Sequence, residues 1–113
     1  MLRAYIDGLS QSINKKSTLS ITITDLKGNL EYQNYELLDS KRSSTEIEMM
    51  AFNKMMDWLL ENKINKIVVY TESKHVYTNW RKNKAYSLNK SKFDRFVVRL
   101  IGNSNNVVNL AFA

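Results

Sequence analysis

Asp7, Glu48 and Glu72 are the residues of this sequence best placed to do chemistry. Asp7 closes the apolar run Leu2-Arg3-Ala4-Tyr5-Ile6 and precedes Gly8. Glu48 falls in the first turn of the clearest helical pattern, and Glu72 directly follows the apolar run Ile67-Val68-Val69-Tyr70. Carboxylates gathered without a basic residue between them bind hard divalent cations such as Mg²⁺. Two such ions about 3.5–4 Å apart can clamp the attacking and leaving oxygens of a phosphodiester. Each acid also has a plainer use, as a turn residue before glycine or as a helix-start residue, and for any one of them that use is the commoner one. All three converge only if the first strand lies beside the strand that precedes Glu72.

Composition removes the competing chemistries. The chain has 113 residues and no cysteine, so disulfides, thiolate nucleophiles and cysteine-ligated zinc are excluded. His75 is the only histidine, which rules out a multi-histidine metal site and leaves little room for a serine–histidine–aspartate triad. A phosphodiester hydrolysis driven by metal-activated water needs neither residue. No apolar stretch reaches membrane-spanning length, and Arg3 and Asp7 interrupt any signal-peptide core, so the expected location is cytoplasmic.

Charge is split along the chain. Residues 1–62 carry seven Lys/Arg against nine Asp/Glu, while residues 63–113 carry ten against two. A net +8 on the second half suggests an anionic partner, with nucleic acid the first candidate and a solvated basic face the plain alternative. Lys74, Arg81, Lys82, Lys84, Lys90 and Lys92 alternate with Tyr77, Trp80 and Tyr86. Lysine and arginine gain phosphate affinity by counterion release, and aromatic rings offer stacking. Lys74, Trp80, Arg81, Lys82 and Lys84 are therefore the candidate nucleic-acid contacts. Phe93 and Phe96 read instead as core.

The elements that must position these groups follow from periodicity. Leu2–Asp7 predicts a short strand, residues 8–18 a polar loop, and Leu19–Thr24 a strictly alternating strand. Asp25–Asn29 predicts a turn with positive φ at Gly28-Asn29, and Leu30–Leu38 the returning strand. Ile47, Met50, Ala51, Met55, Trp58 and Leu59 recur at helical spacing across Ser44–Glu61, with Ser44 or Thr45 as the N-cap. Ile67–Tyr70 predicts a central strand, about Ser73–Asn79 a short helix, and residues 80–90 an irregular basic loop. Phe93, Phe96, Val97 and Leu100 predict a second long helix over Ser91–Gly102, and Val107–Ala113 a last strand. The order is β-β-β-α-β-α-α-β, in a single domain over residues 1–113.

Three local motifs in this order resemble the ribonuclease H superfamily. Tyr5-Ile6-Asp7-Gly8 resembles the hydrophobic-Asp-Gly that ends the family's first strand. Glu48 and Ala51 match the family's helix-start Glu-x-x-Ala, within Ser43-Ser44-Thr45-Glu46-Ile47-Glu48-Met49-Met50-Ala51. Val69-Tyr70-Thr71-Glu72-Ser73-Lys74-His75-Val76 is similar to the family's Tyr-Thr-Asp-Ser-Lys/Gln-x-Val, with Glu72 in place of Asp. The Ser-x-x-Glu-x-Glu version resembles the short bacterial EbsB-like branch.

The resemblance covers essentially the whole chain. It implies an α/β fold with a mixed five-stranded sheet, three antiparallel strands then two parallel, and helices mainly on one face. It implies Mg²⁺ or Mn²⁺ held by Asp7, Glu48 and Glu72, and cleavage of RNA in RNA–DNA hybrids.

The sequence departs from the family pattern in three respects. The family's glycine-rich first hairpin is replaced by Ser10-Gln11-Ser12-Ile13-Asn14-Lys15-Lys16. Glu stands for Asp at position 72, and Mg²⁺ geometry is strict. With the last strand at Val107–Ala113, the family's final helix, its fourth carboxylate and its loop histidine have no counterpart. These departures favour the alternative, a fold that binds nucleic acid or a protein without cutting, but with Asp7, Glu48 and Glu72 still in register the metal-dependent nuclease ranks slightly ahead. A third reading is an interaction module whose uncovered sheet face, carrying Ser20, Thr22, Thr24, Asn109, Ala111 and Ala113, meets a second copy.

Overall fold

Alternation builds the first sheet elements. In the computed structural model, which describes residues 1–11, 16–38, 42–82 and 93–102 (for 9–11 and 16 the backbone alone), strand β1 spans Leu2–Gln11 and β2 spans Lys16–Asp25. Strand β3 spans Leu30–Leu38. Ala4 and Ile6 of β1 and Leu19, Ile21 and Ile23 of β2 point to one face and are buried there. Helix α1 spans Ser44–Glu61 and covers that face with Ile47, Ala51, Phe52, Met55, Met56 and Leu59. Strand β4 spans Lys66–Thr71, helix α2 spans Lys74–Arg81 and strand β5 spans Arg95–Leu100.

The sheet order is β3-β2-β1-β4-β5. β1 pairs antiparallel with β2 and β2 with β3, while β4 runs parallel to both β1 and β5. α1 and α2 share the buried face, where Val76 of α2 joins the core with Ile67, Val69, Phe96 and Val98. The fold class agrees with the expectation from the sequence: three antiparallel strands, two parallel ones, and helices on one face.

Several boundaries differ. Residues 8–11 and 16–18 are strand and not loop: the β1–β2 ladder continues through Gly8↔Leu19, Leu9↔Thr18 and Ser10↔Ser17. Backbone hydrogen bonds extend the hairpin where side-chain polarity suggested a loop. The N-cap of α1 is Ser43, one residue before the expected position. Its hydroxyl accepts from the Glu46 N–H at 3.2 Å and donates to the Glu46 carboxylate at 3.3 Å. Gly28 takes φ +89° as expected, whereas Asn29 does not take positive φ. Trp80 and Arg81 finish α2 instead of opening a loop.

The largest correction is at Ser91–Gly102. This stretch does not form a helix; it contains β5, which pairs with β4 from Lys66↔Arg95 to Thr71↔Leu100. Phe93, Phe96, Val97 and Leu100 fit a helical stripe, but Phe96 and Val98 alternate inward. Two adjacent β-branched valines suit the strand, and pairing along β4 decides the ambiguity. Phe96 then meets Phe52 of α1 edge-on, ring centres 6.0 Å apart.

The fifth strand therefore ends at Leu100, well before Ala113. The expected strand at Val107–Ala113 and the missing-helix reading built on it lie outside the described residues, as do Lys84, Asn109, Ala111 and Ala113. The opposite face of the sheet is also not uniformly open. Ser20 and Thr22 are half-buried there, but Thr24, Tyr5 and Val68 are buried.

Candidate functional site

Asp7 on β1 and Glu72, one residue past the end of β4, occupy equivalent places along neighbouring parallel chains. The β1–β4 pairing ends at Tyr5↔Tyr70, whose rings stack 5.1 Å apart. Two residues further along each chain come Asp7 and Glu72. The carboxyl ends of parallel strands, where chains diverge, are the usual ligand crevice of an α/β sheet. The expected adjacency of the first strand and the strand before Glu72 is thus present.

Helix α1 brings the third acid. Glu48 lies on its second turn, over Gly8, and only a glycine permits that approach. A Cβ at Gly8 would sit 2.7 Å from Ile47 Cγ2 and 3.1 Å from Glu48 Cγ. Gly8 therefore serves helix-on-strand packing inside a continuing strand, not the turn that an Asp-Gly pair suggested.

Asp7 and Glu48 are half-buried, and burial raises both carboxyl pKa values above the ordinary range. For Asp7 the opposing influence is the Gly8 N–H, which donates to Oδ1 at 2.9 Å. For Glu48 a hydrogen bond from Ser73 pulls the other way. The Asp7 charge pushes Glu48 further up, and the His75 side chain pulls it down. Asp7 and Glu48 are thus electrostatic neighbours, and the Ser73-His75 segment at the start of α2 attends Glu48. Ser73 is buried. Its oxygen accepts from the Val76 N–H at 3.1 Å as the N-cap of α2, which leaves its proton for Glu48. Sequence reading assigned Ser73 only to the start of the short helix. Its contact with Glu48 depends on how α1 and α2 pack.

Glu72 leaves the end of β4 half-buried, on a turn in which the Ser73 N–H donates to Thr71 Oγ1 at 3.0 Å. Among the described residues no group of three or more His, Asp or Glu side chains is disposed to hold a metal ion. Of the three expected carboxylates, Asp7 and Glu48 are electrostatic neighbours.

The basic surface lies along α2. Lys74 and Arg81, seven residues apart, fall on one helix face about two turns from each other, and both are exposed. Neither they nor Lys82 makes an ion pair with a described residue; the ion pairs among the described residues lie elsewhere, joining Arg42 to Glu46 and Lys54 to Glu36. The Arg81 guanidinium lies 5.7 Å from the Tyr77 ring centre, and Tyr77 lies 6.2 Å from Trp80. Tyr77 separates two open grooves. One, of about 480 Å³, is lined by Tyr77, Trp80 and residues Val97 to Leu100 of β5. The other, of about 240 Å³, is lined by Tyr77, Thr78, Arg81 and Lys82. Four of the five sequence-named nucleic-acid candidates thus sit on or next to α2. Tyr77, which the sequence placed only among the interleaved aromatics, is the ring that both Arg81 and Trp80 meet.

No protein-family model matches the sequence, and no curated protein matches it. Solved structures do match. RNase H1 from the halophilic archaeon Halobacterium salinarum superposes with a TM-score of 0.75 at 14% identity, covering 94% of this chain and 89% of that one. The fold is that of ribonuclease H. LC11-RNase H1 in complex with an RNA/DNA hybrid gives the same TM-score at 16% identity, covering 96% and 90%. The N-terminal RNase H domain of a Mycobacterium tuberculosis protein also gives 0.75, at 10% identity over 94% and 90%. The ribonuclease H likeness first read from three short motifs therefore extends over nearly the whole length of each solved chain. Among the described residues, no helix is long and apolar enough to cross a membrane.

Proposed function

We propose that this chain is a nucleic-acid-binding module on a ribonuclease H fold that holds its ligand without cutting it. The observation that carries this reading is the surface of α2. Lys74, Arg81 and Lys82 are exposed cations without ion-pair partners among the described residues, set beside the Tyr77–Trp80 aromatic pair. Cations of this kind attract a phosphate backbone, and the rings offer stacking. Lys84 extends the same run in sequence. The Asp7–Glu48 pair, lacking a third grouped ligand, supports binding over hydrolysis.

A second reading is metal-dependent cleavage of the RNA strand of an RNA–DNA hybrid, with Mg²⁺ or Mn²⁺ at Asp7, Glu48 and Glu72. It is favoured by one observation: two half-buried carboxylates stand together at the sheet's crevice, and the charge of one raises the pKa of the other. An RNA–DNA hybrid is the first ligand to try, because a structurally similar protein was solved with one.

The test is one experiment with two readouts. Binding of a labelled hybrid is followed by fluorescence anisotropy across a salt series, and cleavage by gel with Mg²⁺ or Mn²⁺, beside Asp7→Asn. Salt-sensitive binding with an intact hybrid is the expected result. Metal-dependent cutting that Asp7→Asn abolishes would replace it with the nuclease reading. Neither binding nor cutting would retire both.

A further inference from the structure

We infer that two copies of this chain pair along β3, antiparallel, about a two-fold axis through Tyr35. β3 is an edge strand of nine residues, paired on one side only, with β2. Natural edge strands are blunted by lysine, proline, a bulge or a covering segment. The β3 sequence Leu30-Glu31-Tyr32-Gln33-Asn34-Tyr35-Glu36-Leu37-Leu38 has no lysine, proline or glycine; its two charges are Glu31, beside the irregular start, and the inward Glu36, which Lys54 neutralises. Its one irregularity in pairing lies at its start, opposite Ile23/Thr24, and leaves Tyr32–Leu38 regular.

The apolar exposure is concentrated here. Among the described residues, six large hydrophobic side chains are exposed. Four of them belong to β3 or the turn that leads into it: Leu26, Leu30, Tyr35 and Leu37. Tyr35, at the middle of the regular stretch, is the most exposed at 69%.

The occupant is a second copy because the stretch is complementary to itself. A two-fold axis perpendicular to the sheet pairs residues that point to the same face. Centred on Tyr35, it sets Tyr35 against its own copy and Gln33 against Leu37, all on the outward face. On the inward face it sets Asn34 against Glu36 and Tyr32 against Leu38. Those inward residues are all half-buried, and the outward ones are all exposed, so no side chain must change face. The Asn34 amide already approaches Glu36 within its own strand at 3.4 Å. Across the axis it meets the same carboxylate of the other copy. Within Tyr32–Leu38 no like charges stand directly opposite each other in this register, and Lys54 already pairs with Glu36. Aromatic side chains meet at the axis, an arrangement that stabilises cross-strand pairs. The interface is isologous and closes at two copies. This inference is independent of nucleic-acid binding, whose cations lie on α2, across the sheet from β3.

The experiment is the solution mass from light scattering, followed from micromolar to millimolar concentration. The expected mass rises from the 13.2 kDa of one chain toward twice that value. Tyr35→Lys, at an exposed side chain, sets two lysines against each other and raises the dimer dissociation constant at least about tenfold. The chain has no cysteine, so single-cysteine variants report the register directly. Tyr35→Cys forms a disulfide-linked dimer under mild oxidation, while Leu30→Cys, far from the axis, does not. A mass that stays at one chain throughout overturns the inference. So does a dimer indifferent to Tyr35→Lys, or one that Leu30→Cys traps and Tyr35→Cys does not.

Discussion

Gly8 and Glu48 are pressed together: a Cβ on Gly8 would lie 3.1 Å from the Glu48 Cγ, and closer still to Ile47. Helix α1 therefore rests on the β1 backbone at the point where the candidate carboxylates meet. Gly8→Ala forces the helix outward and should cost about 1–3 kcal/mol, as overpacking does. Gly28→Ala, at φ +89° with open space around it, tests a different cost: backbone strain alone, about 1 kcal/mol. Chemical denaturation of the two variants separates them. Gly8→Ala should also change the environment of Glu48, and Gly28→Ala should not.

The half-buried carboxylates make stability depend on pH with a defined sign. Burial raises Asp7 and Glu48 above the ordinary carboxylate range, so the folded chain holds these protons more tightly than the unfolded one. The cost of ionising them is absent below the ordinary carboxylate pKa. It grows as pH rises through the window between the unfolded and folded values and is complete above it. Glu48→Gln should therefore melt a few degrees higher than the parent at neutral pH, with the difference fading by about pH 4. Thermal melts across pH measure it; an advantage that grows on acidification would contradict the assignment.

Removing cations from α2 should weaken nucleic-acid binding uniformly across sequences. Arg81→Ala and Lys82→Ala should each lower the slope of log K against log salt by about 1 if each side chain holds one phosphate. Trp80→Ala should lose affinity with the salt slope unchanged, because stacking releases no counterions. Anisotropy titrations at several salt concentrations distinguish the two behaviours.

The N-cap of α1 gives a sharp local test. Ser43 satisfies the Glu46 N–H, so Ser43→Ala should cost about 1 kcal/mol. Ser44→Ala and Thr45→Ala, one and two residues later and exposed, should be nearly neutral. Denaturant midpoints of the three variants suffice.

Strongly patterned elements were legible in the sequence. β3 and α1 have the expected limits, because one returns from the turn that Gly28 marks and the other repeats at helical spacing over five turns. Within α1 the buried stripe is Ile47-Ala51-Met55-Leu59 flanked by Phe52 and Met56, whereas the sequence favoured Met50 and Trp58. Those two sit at the rim, where Trp58 stacks on Tyr32 with ring centres 4.9 Å apart. β5 was illegible because a short apolar run satisfies two periods at once; only its neighbour β4 selects between them. Asp7, Glu48 and Glu72 could be named from their places at the ends of elements. Ser73 could not be named as a partner of Glu48, since its serine already had a sufficient local role as a cap. The meeting of two helices gives it the second one.

The parallel rung that joins Leu2 to Ile67 sets an order of events on the folding chain. The β1–β2–β3 meander joins strands that follow one another directly, so its closure costs little entropy. β4 reaches β1 only across the intervening meander and helix, and β5 has no partner until β4 has arrived. An early intermediate of meander and α1 would leave the β1 edge open until β4 docks. The crevice holding Asp7 and Glu72 would then form only after the meander and α1, when β4 docks, with β5 adding its edge later still.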